Sequence, residues 1–151
     1  MASEIAAHWE AHYPLATVAR EHSVATLHAL RHAGIRLALV TNGWTRSQNL
    51  KLRTLGIHEL FEAVLISQEF GAKKPDPRIF RAALERLNLA ATECAFLGDN
   101  PMNDVQGAAA VGLHAIWLSA SLAWPPTLAP PEHHVEHFAE LLPLLGLESQ
   151  R

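Results

Sequence analysis

Aspartate is scarce in this sequence: of fifteen acidic residues, three are Asp (Asp76, Asp99 and Asp104) and twelve are Glu. Lysine is equally rare, three residues against nine arginines, and there is one cysteine, Cys94. A lone cysteine excludes an internal disulfide framework and suits a reducing compartment. Its apolar setting, "ECAFLGD", predicts a packed small residue and not a reactive thiol. No apolar run approaches the roughly 20 residues that span a bilayer, which predicts no membrane association. The formal net charge is −3 with histidine neutral, and Lys and Arg are scattered, so no basic face recruits nucleic acid. The opening "MASEIAAHWE" has no basic segment followed by an apolar one, which predicts no leader peptide and a cytoplasmic location.

What is present fits a folded α/β chain. With 151 residues, 49% of them hydrophobic, the chain can bury one real core. Segments 35–42, 62–67, 93–99 and 114–119 are short apolar runs. Their nearly continuous hydrophobicity predicts strands buried on both faces, as in a parallel sheet. Between them lie helical patterns. "SVATLHALRHAG" aligns Val24, Leu27 and Leu30 before Gly34, and "TRSQNLKLRTLG" suggests a capping box from Thr45 to Gln48. "DPRIFRAALERLNL" offers Asp76 as N-cap and Pro77 at the first helical position. "PMNDVQGAAAVG" predicts a short helix, and "EHHVEHFAELLPLLG" predicts a final amphipathic one after the proline-rich connector. His133, His134 and His137 could share the start of that helix. With no Cys or Asp beside them, they suggest a solvated helix start and not a metal site. Residues 1–22 carry mixed helical signals broken by Pro14 and connect to no strand.

Three polar groups fall at or near strand ends, where open parallel sheets bind ligands. Thr41-Asn42-Gly43 follows the first strand. The Thr41 hydroxyl and the Asn42 and Gly43 backbone N–H groups could cradle a phosphate at a strand-to-helix turn. Asp99 ends the third strand, and the turn through Asn100 and Asn103 could bring Asp104 back towards it. Two converging carboxylates suit Mg²⁺, a hard ion that prefers oxygen ligands. Lys74, one of the rare lysines, precedes Pro75 and could neutralise a phosphate while steadying the carboxylates.

In order, "LALVTNG", "GAKKPDPRIFRAALERLNL" and "CAFLGDNPMNDVQGAAAVGLHAIWLS" closely resemble the haloacid dehalogenase-like (HAD) superfamily of hydrolases, in its phosphatase-type members, over about residues 23–146. The resemblance implies a Rossmann-like HAD core with a parallel sheet flanked by helices. It implies a Mg²⁺-dependent phosphatase of a small phosphorylated metabolite. Thr41 then matches the phosphate-binding hydroxyl and Lys74 the lysine of that family, both in catalytic roles. Asp99 and Asp104 match its Mg²⁺-holding acids. The family's chemistry passes the phosphoryl group to an aspartate and then to water.

The family's nucleophile belongs to an Asp-x-Asp pattern ending the first core strand, upstream of Thr41, yet no aspartate precedes Asp76 here. Glu4, Glu10 and Glu21 are the only upstream carboxylates, and none ends an apolar strand. The expectation is an incomplete core over 23–151, missing the first core strand, with residues 1–22 a remnant of the cap or a linker. Mg²⁺ would then be held weakly, and this chain would be inactive or impaired. The missing strand would lie between those ending in Thr41 and Asp99. Its loss predicts a rearranged sheet, or a homodimer whose partner fills the gap. Two other classes stay open: a non-catalytic binding or oligomerisation module, and a haloacid dehalogenase. The latter chemistry needs no metal, so the paired acids argue against it.

Overall fold

The computed structural model describes residues 17–147. The expectation for residues 1–22 therefore falls largely outside the described part, as do Glu4 and Glu10. The chain runs through α1 (Ser23–His32), β1 (Ala38–Thr41), α2 (Thr45–Thr54), β2 (Ala63–Ile66) and α3 (Ser67–Phe70). It continues through α4 (Pro77–Leu87), β3 (Ala95–Gly98), a wide π turn at Pro101–Gln106, α5 (Gly107–Ala109), β4 (His114–Leu118), β5 (His133–Val135) and α6 (Leu141–Leu144). All four expected strands form, each shorter than its apolar run.

The strands make two parallel half-sheets. β1 pairs with β2 in the register Ala38–Ala63 to Thr41–Ile66. β4 lies between β3 and β5 and is parallel to both. β1 and β3 do not pair with each other, and among the described residues no strand lies between them. The sheet is thus divided where the family resemblance placed its missing strand.

Each face of these strands packs its own cluster. Ala115 and Trp117 of β4 join Val40, Leu65, Ile79, Phe80, Ala83 and Val105 on one face. The alternate residues Ile116 and Leu118 join Leu30, Val135, Leu141 and Leu142 on the other. This period-two division is what strands covered on both sides require. Of the stripe expected on α1, Leu30 is buried while Val24 and Leu27 are half-buried. Phe80 is 1% exposed and meets the Phe96 ring edge-on, with centroids 5.1 Å apart, so it ties α4 to β3.

Local signals succeed on α4. Asp76 caps it by accepting from the Arg78 backbone N–H at 2.9 Å, and Pro77 holds the first position. The capping box expected on α2 is absent: Trp44 is the N-cap residue and no side chain caps it. The Thr45 backbone N–H instead donates to Gln68 Oε1 at 2.8 Å, a partner from α3 that replaces the local one.

The expected final helix is also corrected. His133–Val135 forms β5, and only Leu141–Leu144 is α-helical. Val135, Phe138, Leu141 and Leu142 do reach one cluster, as their spacing suggested. Pairing with Ile116–Leu118 of β4 nevertheless holds 133–135 extended. His133 and His134 are therefore strand residues, and among the described residues no group of three metal-ligating side chains occurs.

Two measurements check this account. Phe80→Ala should cost about 3–5 kcal/mol in urea unfolding, because it removes a buried ring from between α4 and β3. The Asp76 carboxyl is held down to about 2, first by the Arg78 guanidinium and then by the Arg78 backbone N–H. A depressed folded value stabilises the protein above the ordinary carboxyl value of about 4 and loses that contribution as pH falls towards 2. Melting temperatures from pH 5 to 2 should therefore fall more steeply for the wild type than for Asp76→Asn.

Candidate active site

Gly98 and the π turn shape the acidic side of the site. Asn100 opens the turn by accepting from the backbone N–H groups of Met102 at 3.1 Å and Asn103 at 2.8 Å. The widened turn carries Asp104 back under the end of β3, where its Oδ2 accepts from the Asn100 N–H at 2.9 Å. A side chain at position 98 would collide with the Asp104 carboxylate, so the strand must end in glycine there. Asp104 is 5% exposed, and its Oδ1 accepts no hydrogen bond of good geometry.

That oxygen is held by charge. Lys74 Nζ lies 2.6 Å from Asp104 Oδ1, with the two side chains 12% and 7% exposed. The ammonium also stands 5.4 Å from the centre of the Phe96 ring. The loop that presents Lys74 is fixed from the opposite half-sheet. Asn42 Oδ1 accepts from the Lys74 backbone N–H at 2.8 Å, and Asn42 Nδ2 donates to the Lys74 carbonyl at 3.1 Å. One lysine therefore joins the carboxyl end of β1 to the carboxyl end of β3, and both half-sheets point their strand ends at it.

The remaining expected residues divide. The Thr41 hydroxyl makes only a 3.5 Å contact with the Asn42 carbonyl, which leaves it able to donate to a ligand. The Gly43 N–H does not face an open cradle, because it donates to Ser67 Oγ at 3.0 Å. Asn42 offers its side chain to the Lys74 loop, a positioning role the sequence reading missed. The Asp99 carboxylate turns to the surface and pairs with Arg20 at 2.9 Å, both side chains about half exposed. The indole N–H of Trp117 fixes the Asp99 carbonyl at 3.1 Å. Asp104 thus returns to the backbone beside Asp99, while the two carboxylates hold different cations.

For Mg²⁺, this donor set is right in kind and short in number. Two carboxylates offer hard oxygen ligands, one of them a buried Oδ1 without a hydrogen bond. A third acidic or imidazole ligand does not join them among the described residues. Arg20 and Ser67 carried no signal in the sequence, and Asn42 was expected to act through its backbone N–H and not through its side chain. Arg20 lies 79 positions from Asp99, and Ser67 lies 24 from Gly43.

Because Lys74 and Asp104 are buried as a pair, Lys74→Met should cost about 3–5 kcal/mol by leaving the carboxylate unpaired. Lys74→Met combined with Asp104→Leu should recover most of that loss in chemical denaturation.

Comparison with known proteins identifies the family. The profile of the haloacid dehalogenase-like hydrolases matches residues 2–112. The chain is 42% identical over 111 residues to the phosphoserine phosphatase of Thermus thermophilus, covering 74% of this chain and 45% of that protein. It is 41% identical over 90 residues to the glyceraldehyde 3-phosphate phosphatase of Methanopyrus kandleri, covering 60% and 39%. The chain therefore spans less than half the length of either relative. A crystal structure of a HAD phosphatase from Thermococcus onnurineus superposes with a TM-score of 0.78 at 32% identity, covering 85% of this chain and 58% of that one. With its Rossmann-like α/β core, the chain belongs to the haloacid dehalogenase-like hydrolases.

Proposed function

We propose that this chain carries the phosphate-binding and acid-bearing half of a phosphatase site that acts on a small phosphorylated metabolite. One observation carries the reading: Lys74 is clamped by Asn42 and seated on buried Asp104 where the ends of β1 and β3 converge. The phosphatases among its relatives support the substrate class. A cytoplasmic location, and residues 1–22 as a remnant of the cap or a linker, belong to the same reading.

Each residue has a definite task in it. The Thr41 hydroxyl donates to a phosphate oxygen, and the Lys74 ammonium neutralises the anion. Asp104 holds the ammonium in place, and Asn42 holds the backbone behind it. Asp99 and Asp104 would hold Mg²⁺ weakly, and the ion would supply positive charge against the phosphate oxygens. Asp99 would first have to leave Arg20. The phosphoryl acceptor has to come from outside residues 1–75, because that stretch contains no aspartate.

Titration with inorganic phosphate should show saturable binding that weakens about tenfold in Thr41→Val, the loss expected for one hydrogen bond to a charged group. An affinity unmoved by that substitution would remove Thr41 from the site. The chain alone should not turn over p-nitrophenyl phosphate, with or without Mg²⁺. Turnover that disappears in Asp99→Ala would show that an acceptor already exists within the chain.

A further inference from the structure

The proline-rich connector between β4 and β5, residues 119–132, is tied to the acidic side of the site at two points. It leaves β4 through a corner fixed at its root: Ser119 is 4% exposed, and its backbone N–H donates to the Val135 carbonyl at 2.9 Å. Ala120 and Ser121 follow with φ of 45° and 68°, the left-handed region that residues with side chains hold only where neighbouring contacts enforce it. Half-buried Trp124 then meets the Trp117 ring edge-on, with centroids 5.0 Å apart, while its own indole N–H donates to the Leu128 carbonyl at 3.2 Å. Trp117 is the residue whose indole N–H holds the Asp99 carbonyl at 3.1 Å. At the far end of the π turn, the Gln106 side-chain amide donates to the Ala129 carbonyl at 3.2 Å. The stretch from Asp99 to Gln106 is therefore gripped at both ends, once through paired indoles and once directly.

We infer that this connector is a brace for the acidic turn, with Trp124 the positioning residue that sets where Asp99 stands relative to Asp104. An indole ring aims its single donor only through its side-chain torsions. Trp124 packed against Trp117 limits those torsions to the setting whose N–H meets the Asp99 carbonyl. Without that ring, Trp117 gains room to rotate and the Asp99 backbone is released. Rigidity comes from composition: Pro125, Pro126, Pro130 and Pro131 fix φ on either side of Leu128 and Ala129, so the connector has little freedom to lose. With its backbone fixed, the Asp99 carboxylate trades Arg20 for another cation by side-chain rotation alone. That consequence rests on the cation-holding role proposed for Asp99 and Asp104, whereas the brace itself is a property of the turn.

Hydrogen exchange on the intact chain reads the turn directly, because the N–H groups of Asn100, Met102, Asn103 and Asp104 are all bonded within it. Trp124→Leu should speed their exchange about tenfold and leave 38–41 and 63–66, in the other half-sheet, unchanged. Trp124→Phe restores an aromatic edge and should stay near the wild-type rates. Gln106→Ala cuts only the second tie, and it should speed exchange across 103–106 about threefold even if Trp124→Leu fails to fold. Calorimetric titration with Mg²⁺ supplies a readout that a general loss of packing would not move: affinity should fall about tenfold in Trp124→Leu and return in Trp124→Phe. Exchange that rises equally in both half-sheets, or a turn equally protected in all variants, would overturn the brace. Mg²⁺ affinity unmoved by Trp124→Leu would overturn its positioning role. A wild type that takes up no Mg²⁺ while its turn loosens in Trp124→Leu would sustain the brace and remove the metal role alone.

Discussion

The ion pair between Lys74 and Asp104 is the contact on which the arrangement turns. It is nearly enclosed, at 2.6 Å between Lys74 Nζ and Asp104 Oδ1, so neither charge can be solvated by water as an alternative. Each partner is delivered by a different half-sheet. Asn42, just after β1, grips the Lys74 backbone on one side, and Gly98, ending β3, makes room for Asp104 on the other. The pair therefore bridges two half-sheets that share no backbone ladder, and it does so where ligands of parallel sheets bind.

That bridge sits at one end only. Along the rest of β1 and β3 the two half-sheets are joined through side chains, chiefly Phe80 and Ala83 of α4 packing across to Phe96 and Val40. A parallel sheet normally joins its strands through hydrogen bonds and covers both faces with helices. Here the faces are covered and the ladder is interrupted, so among the described residues apolar packing joins the two half-sheets at the middle of the core.

Much of this was readable from residue order. Asp76-Pro77 marked the start of α4, and the apolar runs marked β1 to β4, because capping and burial on both faces leave local traces. Rare Asp and Lys, used where Glu and Arg serve elsewhere, marked Asp104 and Lys74. The failures share another cause. Gly43 looked open to an anion until Ser67 took its N–H, and Asp99 looked poised beside Asp104 until Arg20 took its carboxylate. Residues 133–135 fitted a helical stripe, yet β4 offered an edge whose ladder outweighed local preference.

By itself, the sequence determined the α/β alternation, the glycines and caps that start and stop its elements, and the few residue types able to meet a phosphate or a hard cation. Only the tertiary structure decided which of them share a site. Hydrogen bonds and ion pairs between residues 24 to 79 positions apart depend on how strands and helices pack, and no local pattern encodes that distance. Patterning and propensity act within a few residues, whereas the ladder, the clamp and the buried charge pair exist only once remote segments meet.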